Sequence, residues 1–194
     1  GNYNYVFTTP VQKPLNTETL RVDLHLSQND TISGSYNAFN EKATGALGIP
    51  AASGNWPLMV QTYYTYFKAA TGHWQHIFGP SMLNEVSFGF LYQPAGITYA
   101  GNDLQKVVRS AVGFNVGQFY PSANPLNVLP NATFGGVTNA ATISTEGRFP
   151  LYNRYYLYNW TDNFSYTRGS HNFKAGVYAE YYTRDQKTQA GGAF

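Results

Sequence analysis

The chain has 194 residues and a net charge of +2, with 11% charged residues, 17% aromatic residues including 17 Tyr, and no Cys. Ordinary globular proteins carry about 25% charged residues, so a typical soluble surface is hard to assemble from this composition. The small, scattered positive charge argues against a nucleic-acid partner, and the lack of Cys excludes a disulfide framework and thiolate metal sites.

No stretch approaches the roughly 18 consecutive apolar residues of a membrane helix. The mean hydropathy of −0.35 would suit a soluble domain. It suits equally a strand whose alternate residues face lipid and water, because only one of its faces is apolar. With no starting Met and no leader, the chain is expected to be an excerpt of a longer protein.

The first clear element is Leu20 to Ser27, where Leu20, Val22, Leu24 and Leu26 alternate with Arg21, Asp23, His25 and Ser27. That period of two predicts a strand with one apolar face. A turn follows at Gln28-Asn29-Asp30, and Thr31 to Ala38 resumes the alternation with Ile32, Gly34, Tyr36 and Ala38 on one side. Together they predict a hairpin over about 18–39.

Tyr63 to Phe78 reads as a long aromatic-rich strand, Gly79-Pro80-Ser81 as a turn, and Leu83 to Tyr92 as its return, with Val86, Phe88, Phe90 and Tyr92 aligned. Pro80 falls where no ladder donor is needed. The third unit pairs Tyr155 to Tyr166 with Asn172 to Arg184 across a turn at Arg168-Gly169-Ser170-His171. The expected hairpins therefore occupy about 18–39, 62–92 and 154–185, joined by long connections over 40–61 and 93–153. Within the second connection, Asn102-Asp103 precedes Leu104, Val107, Val108, Ala111 and Val112, with Gly113 after, which is capping and spacing for a short helix.

Short and long connections alternate. Transmembrane barrels have short periplasmic turns and long extracellular loops, so the turns near 28, 80 and 169 are expected on the periplasmic side. The membrane-facing set would be Leu20, Val22, Leu24, Leu26, Ile32, Tyr36, Val86, Phe88, Phe90, Tyr92, Trp160, Phe164, Tyr166, Phe173 and Val177. The lumen-facing set would be Arg21, Asp23, His25, Ser33, Glu85, Lys174, Glu180 and Arg184. Asp162 conflicts with this scheme, because the parity of Tyr158, Trp160, Phe164 and Tyr166 puts it on the lipid side; a β-bulge or a neighbouring donor would accommodate it.

His76-Ile77-Phe78-Gly79-Pro80-Ser81 followed by Leu83-Asn84-Glu85-Val86-Ser87-Phe88-Gly89-Phe90 resembles barrel segments of TonB-dependent outer-membrane receptors, most closely their Oar-like branch. The strings Asp162 to Tyr166, Arg168 to Gly176, Arg21-Val22-Asp23 and Asn29-Asp30-Thr31 carry the same resemblance, which covers most of residues 18–185. It implies a barrel of about 22 strands around a plug, with outer-membrane lipid, the remaining strands and plug, and the motor protein TonB as partners and an unidentified solute as cargo. The plug and the TonB box are not found in this chain, and the resemblance brings over no substrate-binding residue.

No catalytic residue, cofactor or metal site is expected. His73 and His76 stand three apart on a predicted strand, so their rings diverge. No Gly-x-Ser-x-Gly elbow or phosphate-cradling loop is present. The Asn-x-Ser/Thr matches at Asn29, Asn131, Asn159 and Asn163 are common by chance in so Asn- and Thr-rich a chain. The expected function is thus part of the wall of an outer-membrane transporter. A cell-surface adhesin or a soluble β-sandwich binding module stays open on the residues alone, since six strands can close a sandwich whereas single-chain membrane barrels start at about eight.

Overall fold

A computed structural model describes residues 6–46, 60–138, 140, 142, 144 and 151–188. Six strands form one antiparallel sheet in sequence order: β1 (Leu15–His25), β2 (Asp30–Gly45), β3 (Gln61–Gly79), β4 (Met82–Tyr99), β5 (Leu151–Arg168) and β6 (His171–Thr188). The sheet does not close on itself, so β1 and β6 each keep an open edge.

Local chemistry fixes the three tight turns. Ser27 Oγ accepts the backbone N–H groups of Asn29 and Asp30, both at 3.0 Å, and donates to Asp30 Oδ2 at 2.8 Å. Between β3 and β4, Gly79 pairs with Met82 across Pro80-Ser81, after a register shift between Ile77 and Gly79. Between β5 and β6, Arg168 pairs with His171 around Gly169-Ser170. Gly169 has φ of +60° at the first central position, which is where a type II′ hairpin turn calls for glycine.

The strands run past their expected ends at the other side of the sheet. β2 continues to Gly45 and β4 to Tyr99, so both connections are shorter than 40–61 and 93–153. β4 passes through Pro94, which lacks a donor; the β3–β4 ladder skips the residues opposite Gln93 and Pro94, while Pro94 stays paired with Arg154 on β5. Conversely, β1 stops at His25, and Leu26 lies in the turn, its N–H donating to the Asp30 carbonyl at 2.9 Å.

The expected helix is replaced by a single 3-10 turn, Asp103–Lys106, followed by turns. The apolar residues that suggested helical spacing do something else. Val107 is buried, and Val108 pairs with Val128 in an isolated bridge.

No bulge shifts the register at Asp162. The β4–β5 pairing runs unbroken from Met82–Tyr166 to Ile97–Leu151, and β5–β6 from Leu151–Thr188 to Arg168–His171. Asp162 therefore shares the face of Trp160 and Phe164, exposed, opposite Val86 and Val177.

Two open edges and an uncovered apolar face make a poor water-soluble object. The isolated chain is expected to aggregate in plain buffer and to give a discrete species only with detergent. Sedimentation in buffer showing a monomer that melts cooperatively would contradict this.

Candidate functional site

Side chains alternate across a strand, so a continuous register gathers every second residue of all six strands onto one face. From β1 to β6, one row of the first face reads Leu24, Ile32, Trp74, Val86, Asp162 and Val177. The next reads Val22, Gly34, Gly72, Phe88, Trp160 and Ala179, and the third Leu20, Tyr36, Ala70, Phe90, Tyr158 and Tyr181. Tyr92 and Tyr156 follow, and Tyr166 and Phe173 lie nearest the turns. Apart from Leu26, the whole expected membrane-facing set is thus brought together on this face.

Its aromatic rings form a column along β4 and β5. Phe88 lies 5.5 Å from Trp160, Phe90 5.1 Å from Tyr158 and Tyr92 4.9 Å from Tyr156, centroid to centroid. Such cross-strand pairs stabilise a sheet beyond the area they cover. The outer surface of this face stays open: Leu20 is 62% exposed and Val177 65%.

Polar rows bound the apolar field at both ends. Toward the turns lie Asp30, His76 and Asn84, in register. Asp30 Oδ1 accepts Trp74 Nε1–H at 3.1 Å and stands 2.6 Å from His76 Nδ1. Toward the long connections lie Asn40, Tyr66, Arg154 and Asp185.

The second face collects Arg21, Asp23, His25, Ser33, Glu85, Lys174, Glu180 and Arg184, all eight of the expected lumen-facing residues. Beyond a turn-side row of Ile77, Leu83, Ser165 and Lys174, its next three rows are polar and interlinked. Arg21 grips Asp23 at 2.7 and 2.8 Å, Ser35 Oγ meets Thr71 Oγ1 at 2.6 Å, and His73 Nδ1 meets Ser87 Oγ at 2.9 Å. His73 is therefore turned to this face and His76 to the other, and among the described residues no three ligand-type side chains could hold a metal ion.

Sequence reasoning missed a belt midway along the second face. Phe39 and Phe67 stack at 5.4 Å, Leu91 pairs with Leu157, and Tyr155 faces Tyr182 at 6.3 Å with the Arg184 guanidinium 5.2 Å over the Tyr155 ring. The signal was present as apolar residues at odd positions of β2 to β5, but in β3 and β5 those positions lie in stretches where both parities are aromatic, and in β2 Phe39 stands alone among small and polar neighbours.

At the loop end, Leu126 and the rings of Tyr63 and Tyr99 pack on buried Ile97 and Leu151, so the second long connection folds over the second face rather than away from it. Its fabric is its own. Buried Asn124 accepts the Val128 N–H at 3.0 Å and donates to the Val128 carbonyl at 2.8 Å and Gln118 Oε1 at 2.9 Å. Buried Arg109 bonds the Val116 carbonyl and lies 4.8 Å over the Phe114 ring. Asp103 accepts the Val60 N–H at 2.6 Å and pairs with Lys106 at 2.8 Å. Burial pushes its carboxyl upward, but these two contacts outweigh that and hold it below the ordinary carboxylate value.

The whole chain, residues 1–194, matches the model of a family described as outer membrane beta barrel domain. The chain belongs to that outer-membrane β-barrel family, and the protein is placed in the outer membrane of a bacterium. No curated protein and no solved structure matches it.

Close strand approach on the second face depends on glycine. A Cβ at Gly176 would lie 2.8 Å from the Asp162 carbonyl oxygen and 2.4 Å from Asn163 Oδ1, whereas a Cβ at Gly72, on the first face, would meet nothing within 4 Å. Gly176→Ala should then cost about 1 to 3 kcal/mol through overpacking against backbone, and Gly72→Ala little. Heat-modifiability of the full-length protein in outer membranes reads the difference; equal loss in both variants would contradict the register.

Proposed function

From membership in an outer-membrane β-barrel family, we propose that the chain supplies six wall strands of a TonB-dependent transporter. On this reading the first face meets lipid, the second lines the lumen, and the long connections face outside the cell. The observation that carries the orientation is the distance between the two polar rows of the first face.

On the two strands with a polar residue at each border, Asp30 to Asn40 and His76 to Tyr66, that distance is ten residues (40 − 30, 76 − 66), and the unbroken register carries the same span to Asn84–Pro94 and Phe164–Arg154. Ten residues at about 3.3 Å each, tilted by roughly 40°, rise about 25 Å, which is the height of the apolar band on a transmembrane barrel.

The charges inside the band lie near its borders. Asp162 is one row in from the turn-side border, and Lys68 and Glu18 are one row in from the other. There the cost of a charge falls to about 0 to 1 kcal/mol, and long side chains reach the interface. Asp162 thus needs neither a bulge nor a partner.

The energised step is supported by the receptor-like strings, which lie on β1–β2, β3–β4 and β5–β6 across the three tight turns. Its test is retention of the full-length protein by the periplasmic domain of TonB; failure of retention would leave a barrel without energised uptake.

Two further measurements check the wall itself. Phe88→Arg puts a charge at mid-band, at a cost of about 2 to 4 kcal/mol, while Ser87→Arg is solvated in the lumen. Recovery of protease-resistant protein from outer membranes should fall much further for Phe88→Arg; equal recovery, or the reverse order, would contradict the face assignment. Antibody on intact cells should reach an epitope tag near Ala123 and miss one at Gly169, and the opposite pattern would invert the topology. A tag near Gly54 serves the same purpose, although that position lies outside the described residues.

A further inference from the structure

The loop-side border of the first face contains a recess of about 170 Å³, lined by Tyr64, Tyr66, Tyr92, Pro94, Arg154 and Lys187 among others. Two residues without ordinary side chains shape its surroundings, Pro94 in the lining and Gly96 beneath Tyr64. At Gly96 a Cβ would lie 2.6 Å from the Tyr64 hydroxyl oxygen, so the Tyr64 ring occupies the space over the glycine. Pro94 sets a short ring between Tyr66 and Arg154, where the β3–β4 ladder is interrupted. The tyrosines brace one another, Tyr64 to Tyr66 at 6.5 Å and Tyr66 to Tyr92 at 6.2 Å.

Charge gives the recess a sign. One sheet row runs Lys42, Tyr64, Gly96, Tyr152 and Lys187, a lysine at each end, and Arg154 stands in the adjacent row. Among the described residues neither Arg154 nor Lys187 makes an ion pair, although Asp185 lies opposite Arg154 in register. Arg154, Lys187 and Asp185 leave the wall at +1 (two cations less one anion).

We propose that this recess holds the phosphate of a lipid headgroup of net negative charge in the leaflet bordering the long connections. The proposal rests on the lipid-facing reading of the first face. A guanidinium presents two N–H groups in the geometry of a phosphate edge, an ammonium adds a point charge, and phenol hydroxyls donate from the floor. Below the recess the aromatic column from Tyr92 and Tyr156 down to Phe88 and Trp160 offers an apolar track for acyl chains. That continuity selects a lipid over a free phosphate ion, which would gain nothing from the track.

The test uses the full-length barrel purified in mild detergent, with phosphatidylglycerol, phosphatidylcholine and inorganic phosphate as separate probes in native mass spectrometry. Phosphatidylglycerol should be retained in preference to phosphatidylcholine, and inorganic phosphate should not compete. The double variant Arg154→Ala, Lys187→Ala should bind phosphatidylglycerol about thirty-fold more weakly, the factor expected from two interfacial cations at about 1 kcal/mol each. Arg154→Lys with Lys187 kept should bind phosphatidylglycerol more weakly than the parent and more tightly than the double variant. Unchanged binding in the double variant, or equal retention of the two lipids, would overturn the proposal, and competition by inorganic phosphate would make the site a free-anion site instead. A fluorophore on Phe90→Cys, quenched by lipids carrying a mid-chain nitroxide, separates the two readings. Quenching with no loss of binding in the double variant refutes the headgroup site alone, whereas absence of quenching refutes both.

Discussion

The structure depends on one constraint: the side-chain period of two must stay in phase across five strand pairings. A single-residue slip anywhere would carry every later apolar residue to the polar side. Between the turns and the rim the register does not slip, and the two irregularities sit at the ends of the pairing, at Ile77/Gly79 beside a turn and opposite Pro94 near the rim. Both faces follow from this phase. The first needs it to hold an unbroken apolar band, and the second needs it to bring Arg21, Ser35, Thr71, Asn159 and Glu180 into one row.

The phase is held by short-range chemistry as much as by the ladders. Gly169 supplies a backbone conformation that other residues adopt only with strain, which pins Arg168 opposite His171. Ser27 and Asp30 do the same for the first turn with three hydrogen bonds. Along the sheet, Gly89 and Gly176 accept the side chains of Asn159 and Asn163 over their missing Cβ positions, so the polar face also locks the register of its neighbours. Asn is a fitting residue for this task, being short and able to bond laterally in a row of other polar groups.

Much of the sheet was legible because alternation is a local signal. Leu20 to Leu26 and Phe173 to Tyr182 show their faces in seven to ten residues, and all eight lumen candidates fell on one side. The strand ends were less legible. Pro94 breaks one ladder but leaves the other intact, and nothing local in the sequence says which neighbour tolerates the gap. The connection after Tyr99 was misread as helical because Leu104, Val107, Val108 and Ala111 have the right spacing; tertiary contacts took those residues instead, burying Val107 and pairing Val108 with Val128 twenty positions away. The inner belt of Phe39, Phe67, Leu91 and Leu157 was hidden for a different reason: once both parities of a strand are apolar, periodicity no longer tells inside from outside.

That belt changes how the second face should be understood. A lumen lined only by charged and polar groups would be a passive aqueous wall, yet here three polar rows give way to an apolar and aromatic zone, and beyond it Leu126 of the folded connection closes onto Ile97 and Leu151. The second face is therefore banded along the strands: polar rows, then the apolar belt, then a buried polar row of Glu41, Thr65 and Asn153, and last the Ile97–Leu151 cluster. The first face is apolar at its centre and polar at both borders. Two patterns that differ between the two sides of one sheet cannot arise from a single amphipathic repeat. They require each strand to change composition along its length while keeping its parity, which is why β3 and β5 carry Tyr and Phe on both faces near the rim and why 17 Tyr are spread through a chain of this size. Tyrosine meets both demands because its ring packs against lipid or loop while its hydroxyl remains satisfied at a wet boundary.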